Sequence, residues 1–177
     1  MLSSKPLQSL AVGLKAPDFT LNDLENKVHS LSDFRQGLVI INFWSAECPW
    51  AERGDQLLLE WLTGWQGQVV LLPVASNANE PPDLMKKVAG ERGLPFVLYD
   101  RDHQVADLYS AQTTPHVFVL DEQRLIRYMG GLDDITFRKR TASRFYLREA
   151  VEALLDGRRP EISQTDPYGC TIARYSI

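Results

Sequence analysis

Apolar residues form one dense run in the first third of the chain. Residues Leu38–Trp44 are nearly all apolar, and several of them are β-branched. Such a run is typical of a central strand that is covered on both faces of a sheet. From Pro49 to about Trp65, apolar residues then recur at a spacing of four, which predicts a helix with one buried face. The members of this stripe are Leu57, Trp61 and Trp65, with Leu58 and Leu62 beside them.

The alternation of strand and helix continues through the middle of the chain. The pattern predicts a strand over Gln68–Ser76, a helix over Pro82–Arg92 and a short strand over Leu94–Asp100. A helical stretch follows near His103–Ala111. Strands that alternate with helices in this way are typical of parallel pairing.

Two hairpins and a final helix complete the pattern. Ala16–Leu21 and Val28–Leu31 flank a polar turn, which predicts an N-terminal β-hairpin. Pro115–Asp121 and Leu125–Met129 are separated by only three polar residues, so they predict a second antiparallel pair. The last helix is predicted from about Thr141 to Leu155. The predicted fold class is therefore α/β, with a central mixed β-sheet flanked by helices on both faces.

Composition supports a single globular domain with an extension. The 177 residues are 44% hydrophobic and 24% charged, and no internal repeat or low-complexity tract is present. The predicted elements end at Gly157, so we expect a domain over residues 1–157 and a C-terminal tail over 158–177. That tail carries Cys170, one of only two cysteines.

Charge and cysteine content exclude several function classes. Nineteen Lys and Arg against 23 Asp and Glu give a net charge of −4, which argues against a dedicated nucleic-acid binder. The apolar runs are much shorter than a membrane span, and the N-terminus lacks the apolar core of a signal peptide. We therefore expect a cytoplasmic protein without a membrane partner. Two cysteines and three scattered histidines also do not fit a structural zinc site.

Cys48 is the strongest candidate for chemistry, because it lies where the central strand passes into the following helix. Unpaired N–H groups and the helix dipole at such a position favour the thiolate. Glu47 opposes this effect with its negative charge. Stronger activation requires further donors, and we predict the Ser45 hydroxyl and the Arg53 guanidinium for this role. The alternative for Cys48 is an inert buried cysteine, and the alternative for Ser45 is a cap of the helix.

These residues resemble the thioredoxin-like superfamily, and more closely its peroxiredoxin-like branch, related to alkyl hydroperoxide reductase and thiol-specific antioxidant proteins. The resemblance covers roughly residues 10–157. It is carried by Val12–Leu21, by the strand ending in Phe43-Trp44, by the Cys48-Pro49 helix start and by Thr114–Asp121. It implies a thioredoxin-like fold.

The chain departs from both branches at defined positions. Ser45 stands where thioredoxins have their first cysteine and where peroxiredoxins have a threonine. Ile41 replaces a proline of peroxiredoxins, and Pro115 stands where typical peroxiredoxins place an arginine. Thr114-Pro115 instead resembles the cis-proline site of thioredoxins, next to which a bound polypeptide pairs.

The resemblance implies a thiol-dependent oxidoreductase that reduces hydroperoxides through Cys48, with Cys170 as the resolving thiol. Partner contacts are predicted at Trp44, Pro49, Trp50, Thr114 and Pro115. For Trp44 and Trp50 packing is the alternative, and for Cys170 the alternative is a stray tail thiol. His116 is expected to lie on the strand surface.

Three functions stay open from the sequence: the peroxidase, a monothiol disulfide exchanger and a non-catalytic thioredoxin-fold binding module. The enzyme would act on a hydroperoxide or a disulfide. An external thiol, either a thioredoxin-like protein or a low-molecular-weight thiol, would restore it. No cofactor is expected, because sulfur itself carries the two electrons. The resemblance leaves a homodimer open.

Overall fold

The structure is a computed structural model that describes residues 9–175. The strands are β1 (Thr20–Asn22), β2 (Val28–Ser30), β3 (Leu38–Trp44), β4 (Val69–Ala75), β5 (Leu98–Tyr99), β6 (Thr113–Thr114), β7 (His116–Leu120), β8 (Ile126–Gly130) and β9 (Cys170–Thr171). The helices are α1 (Pro49–Gly64), α2 (Pro82–Arg92), α3 (Gln104–Leu108) and α4 (Tyr146–Leu155), and Leu31–Asp33 form one 3₁₀ turn.

The central sheet has five strands in the order β5-β4-β3-β7-β8. Strands β3, β4 and β5 are parallel, whereas β7 and β8 are antiparallel to their neighbours. Strand β3 is buried along its whole length, as its apolar run predicts. Strands β1 and β2 form the predicted N-terminal hairpin. Together with the mixed central sheet, this hairpin confirms the predicted α/β fold class.

Alternate residues of β3 face two hydrophobic layers. Ile40 and Trp44 belong to a cluster with buried residues of α1, α2 and α4. Ile41 and Phe43 belong to a second cluster, which includes α3 and the N-terminal hairpin region. The sheet is thus covered on both faces. Because the helices pack against it through these two clusters, their positions relative to the strands are fixed.

Several predicted boundaries differ from the observed ones, and two of the differences have a clear physical reason. The strand predicted over Leu94–Asp100 is shortened to β5, since Pro95 has no N–H to offer a neighbouring strand. The last helix begins at Tyr146 rather than near Thr141. Residues before it are held in a loop, because Asp134 accepts a hydrogen bond from the Ser143 backbone N–H at 2.9 Å.

The last part of the described chain returns to the sheet. Here we call residues 163–175 the C-terminal strap. Its first residues run beside β8, where the Met129 N–H donates to the Ser163 carbonyl at 3.1 Å. Farther along, β9 pairs with β6 in an antiparallel arrangement, and Ile172 is buried in the second hydrophobic cluster. The strap therefore lies across the end of the domain at which β3 meets α1.

Candidate active site

Cys48 lies at the junction of β3 and α1, where it is the N-cap residue of the helix. Its side chain is only 2% exposed. The thiol donates a hydrogen bond to the Thr114 carbonyl oxygen, at a distance of 3.0 Å. The parallel strand–helix connection thus places a thiol at the helix N-terminus, as expected, and directs it at the residue before Pro115.

Ser45 does not donate a hydrogen bond to the Cys48 sulfur. Its hydroxyl donates instead to the Glu80 carboxylate, and its oxygen accepts the Cys48 N–H at 3.1 Å. A hydroxyl has one proton, so the predicted donation to sulfur is absent here. Ser45 stabilises the turn before α1, which is closer to the capping alternative.

Glu80 organises the loop that carries the cysteine. It is 4% exposed and accepts hydrogen bonds from the Ala46 N–H at 2.8 Å and from Asn77 Nδ2 at 3.1 Å. The carboxylate therefore connects residues that follow β3 with residues that follow β4. It also introduces a negative charge beside the two cysteines.

Arg92, the last residue of α2, stabilises the same loop. Its guanidinium donates to the Ser45 carbonyl at 3.1 Å and to the Ala46 carbonyl at 2.6 Å, and pairs with Asp55 at 3.1 Å. Asp55 is 1% exposed and also accepts a hydrogen bond from Trp44 Nε1 at 2.7 Å. Burial raises the pKa of Asp55 to about 6, although Trp44 and Arg92 counteract the rise.

Two predicted site residues serve other purposes. Trp44 is fully buried in the core beneath the loop, so its predicted contact with a partner is wrong and the packing alternative holds. Arg53 pairs with Asp133 at 2.6 Å rather than with the cysteine. Since α1 turns Arg53 toward Asp133, the predicted cation for the thiolate is absent from this position.

Thr114 and Pro115 face the cysteine across the site. The peptide bond between them is cis, as the resemblance to thioredoxins implies. Both residues are buried, and the Thr114 carbonyl receives the hydrogen bond from Cys48. Strand β6, which ends at Thr114, is paired with β9 of the strap rather than left open.

Cys170 lies directly opposite Thr114 in the β6–β9 pairing. It packs against the cluster that contains Cys48, and both cysteines line one shallow cavity of about 130 Å³ together with Glu80. Burial, the neighbouring Cys48 thiol and the Glu80 charge together raise the pKa of Cys170 to about 12. The fold therefore brings together two free thiols that are far apart in the sequence.

The two remaining predicted contacts, Pro49 and Trp50, follow Cys48 directly at the start of α1. Pro49 is exposed at the first position of α1, next to Cys48. Trp50 is half-buried and packs edge-on against Tyr168 of the strap, with ring centroids 5.1 Å apart. Trp50 thus contacts the segment that brings Cys170 into the site.

His116 is buried rather than on the strand surface, which corrects the expectation from the sequence. It stacks on Phe118 with ring centroids 4.7 Å apart. Burial lowers the pKa of His116 to about 4, so the ring is neutral at physiological pH. His116 directly follows the cis-proline Pro115 and therefore has a structural role as a buried, neutral side chain.

Glu80, Asn77, Arg92 and Asp55 were not predicted from the sequence. One signal was available for the first two, because carboxyl ends of adjacent parallel strands meet at the same edge of a sheet. Residues that follow β4 are therefore neighbours of those that follow β3. No local pattern points to Arg92, which is at the end of α2. Within residues 9–175, no three His, Cys, Asp or Glu side chains are grouped so as to hold a metal ion.

The fold and the site define a class. A mixed sheet with a cysteine at the N-terminus of the helix after its central strand, facing a cis-proline, is a thioredoxin-like arrangement. Within that class the chain belongs to the AhpC/TSA family, whose model matches residues 12–129.

Similar proteins agree with this assignment. The thiol-disulfide oxidoreductase ResA of Geobacillus thermodenitrificans is 36% identical over 120 residues, which are 67% of this chain and 68% of that protein. ResA of Geobacillus kaustophilus is 36% identical over 115 residues, or 64% of this chain and 66% of that protein. The chain thus spans about two thirds of these relatives. Their names are consistent with an oxidoreductase.

Two solved structures match nearly the whole chain. An uncharacterized conserved protein from Geobacillus kaustophilus has a TM-score of 0.86 and 29% identity, and the match covers 94% of each chain. A hypothetical protein from Sinorhizobium meliloti has a TM-score of 0.85 and 26% identity, covering 96% of this chain and 98% of that one. The thioredoxin domain of a thiol-disulfide oxidoreductase from Bacteroides vulgatus matches with a TM-score of 0.58 and 27% identity, over 67% of this chain and 86% of that domain.

Proposed function

We propose that this protein is a thiol–disulfide oxidoreductase in which Cys48 attacks a disulfide of a partner and Cys170 resolves the mixed disulfide. The observation that carries the proposal is the placement of both thiols at one cavity, with Cys170 opposite the residue before Pro115. The predicted monothiol mechanism thereby gains a second thiol from the strap. The names of the ResA relatives support the same chemistry.

Hydroperoxide reduction is supported less well. A peroxidase stabilises the thiolate and the peroxide with a cation near the sulfur, but Arg53 pairs with Asp133. Pro115 also stands at the position that the resemblance assigns to an arginine. Disulfide exchange needs neither group, because a neighbouring thiolate and an accessible sulfur suffice.

The proposal includes an external thiol as the reductant. A thioredoxin-like protein or a low-molecular-weight thiol would reduce the Cys48–Cys170 disulfide and close the cycle. The cytoplasm is the proposed compartment, and a homodimer stays a hypothesis. The structure contains no helix within residues 9–175 that is long and apolar enough to cross a membrane.

The test compares the reduced protein with its two single-cysteine variants in the presence of glutathione disulfide. We expect the protein to lose two hydrogens in the mass spectrum and to show a Cys48–Cys170 peptide in a non-reducing digest. Cys170→Ser should stop at a glutathione adduct on Cys48, whereas Cys48→Ser should react no faster than a free thiol.

A parallel reaction with hydrogen peroxide separates the two chemistries. Exchange with glutathione disulfide, relative to free cysteine, should be accelerated more than oxidation by peroxide. Greater acceleration with peroxide would favour the peroxidase instead. If Cys48 reacts like a free thiol with both reagents, both enzyme functions are contradicted and the non-catalytic binding module is the remaining candidate function.

A further inference from the structure

Strand β6 is the backbone edge next to the reactive cysteine, and the chain's own strap occupies it. Thr113 pairs with Thr171 and Thr114 with Cys170 in antiparallel register. The Ile172 N–H continues the pairing by donating to the Gln112 carbonyl at 2.9 Å. An extended polypeptide is therefore already bound at this edge, and it presents a cysteine to Cys48.

The residue before that cysteine lies close to the edge. A Cβ added at Gly169 would be 2.6 Å from the Thr114 carbonyl carbon and 3.0 Å from the Pro115 nitrogen. It would come even closer to the Thr114 carbonyl oxygen. These are backbone atoms of a buried segment, so they cannot move aside as a flexible side chain would. The edge accepts glycine at this position and excludes larger residues.

Polar and aromatic contacts hold the strap on both sides of Cys170. Upstream, the Thr165 hydroxyl lies 2.7 Å from the Tyr128 hydroxyl, and Tyr168 packs on Trp50. Downstream, the Ala173 N–H donates to Asn77 Oδ1 at 2.8 Å. Arg174 pairs with Asp107 at 2.9 Å. Ile172 of the strap is buried, but most of these other contacts are half-buried or exposed, which is typical of a segment that opens locally without global unfolding.

The resemblance to thioredoxins implies that a bound polypeptide pairs beside Pro115; we infer that the strap competes with such a partner for the β6 edge, and that this edge selects a partner with glycine immediately before its cysteine. The inference rests on the proposed disulfide exchange. The strap itself shows the register, the direction and the Gly-Cys pair that the edge accepts. The strap therefore limits which extended polypeptides reach Cys48 to those that replace it at the edge.

Competition for the edge also sets the order of the two exchange steps, because the strap is displaced before the first step and returns before the second. With the strap displaced, the Cys48 thiolate attacks the partner's cysteine sulfur. A Cys48–partner bond forms, the partner's disulfide breaks, and its second sulfur leaves as a thiolate that takes a proton from water. The strap then returns and removes the partner segment from the edge. Cys170 gives its proton to water and its thiolate attacks Cys48, so that the Cys48–Cys170 disulfide forms; the Cys48–partner bond breaks, and the partner's first sulfur leaves as a thiolate that takes a proton from water. The partner gains two electrons and this chain loses two.

The test uses two synthetic peptides whose cysteine carries a thionitrobenzoate group as a mixed disulfide. One has the sequence Tyr-Gly-Cys-Thr-Ile of the strap, and the other has alanine in place of glycine. Release of thionitrobenzoate reports attack by Cys48. The protein background is Cys170→Ser, which keeps the strap and stops the reaction after one step. Dithiobis(nitrobenzoic acid) serves as a small disulfide without a peptide.

We expect the glycine peptide to react at least about tenfold faster than the alanine peptide, which corresponds to about 1.4 kcal/mol. Gly169→Ala in the same background should displace the strap and raise the rate with the glycine peptide about tenfold. Ala173→Pro, which removes the N–H donated to Asn77, should raise it independently. Gly90→Ala is the matched control, because a Cβ there meets open space, and it should leave the rate unchanged.

Each result has a separate meaning. Equal rates for the two peptides would overturn the glycine selectivity. An unchanged peptide rate in both Gly169→Ala and Ala173→Pro, with circular dichroism showing folded proteins, would overturn the competition. Failure of the proposed function would be distinct, since Cys48 would then react with the small disulfide and both peptides no faster than free cysteine.

Discussion

At the scale of single residues, the site is governed by a buried carboxylate rather than by the cation that the sequence predicts. Glu80 holds the Ser45 turn through its hydrogen bonds, and its charge acts on the strap cysteine. Burial contributes most to the raised pKa of Cys170, the neighbouring Cys48 thiol adds to it, and the negative charge of Glu80 raises it further. These effects keep the Cys170 thiol protonated at physiological pH.

Glu80→Gln should lower the pKa of Cys170, because it removes one of the charges that oppose the thiolate. We expect the pH midpoint of iodoacetamide alkylation of Cys170 to fall by less than about one unit in a Cys48→Ser background. The background removes the competing thiol, so that the label reports on Cys170 alone. Mass spectrometry of the labelled peptide measures the rate.

Glu47→Gln is the control for the Glu80 experiment. Glu47 is an exposed carboxylate beside the same cavity, and solvent screens its charge. Its removal should move the alkylation midpoint much less. Equal shifts in the two variants would show that a general change of charge, and not Glu80, sets the pKa of the strap thiol.

At the scale of elements, α2 stabilises the cysteine loop from a distance in sequence. Its last residue, Arg92, binds two loop carbonyls and Asp55 of α1 at the same time. A planar guanidinium with several donors is suited to such a position, which lysine would fill less well. The helix that precedes β5 thereby determines the geometry of the turn that follows β3.

Arg92→Met should destabilise the protein by about 3 to 5 kcal/mol, because it leaves the buried Asp55 carboxylate unpaired. The pKa of Asp55 in the folded state is already above its ordinary value, so stability falls as the pH rises through the folded pKa. Loss of Arg92 raises that pKa further. The loss in urea unfolding experiments should thus be larger at pH 8 than at pH 5.

Two variants check the interpretation of Arg92→Met. Adding Asp55→Asn to it should recover part of the lost stability, since the buried charge is then absent. Arg158→Met removes an exposed pair with Asp156 and should cost less than about 1 kcal/mol. A double variant as unstable as the sum of the single ones would show that the pair is not coupled.

At the scale of the whole molecule, the strap joins the C-terminal part of the chain to the site. It runs beside β8, covers the β6 edge and inserts Ile172, 3% exposed, into the core. A disulfide between Cys48 and Cys170 would therefore close a loop that contains most of the domain. Such long loops lose much conformational entropy in the unfolded state when they are crosslinked.

The oxidised protein should be more stable than the reduced protein by about 4 to 5 kcal/mol, on the loop-entropy model. Guanidinium unfolding of both forms measures the difference, and Cys170→Ser should show no gain after the same oxidation. An oxidised form that is less stable than the reduced one would mean that the disulfide requires a distorted site. The strap would then have to move for the thiols to join.

Much of the fold was predictable because it depends on local patterns. The run Leu38–Trp44 and the helix from Pro49 determine where Cys48 lies, since burial of a strand and capping of a helix are properties of neighbouring residues. The cis bond at Pro115 followed from the resemblance. The limits of the last helix were less accurate, because Asp134 holds residues before Tyr146 in a loop through tertiary hydrogen bonds.

By itself, therefore, the sequence determined a thioredoxin-like α/β domain with one cysteine at a helix N-terminus. Only the tertiary structure decided that Cys170 reaches that cysteine, that Glu80 lies beside both, and that Arg53 points elsewhere. The physical reason is the distance along the sequence over which each interaction acts. Periodicity and capping act over a few residues, whereas these contacts join segments that meet only when the sheet is assembled and the strap crosses its end.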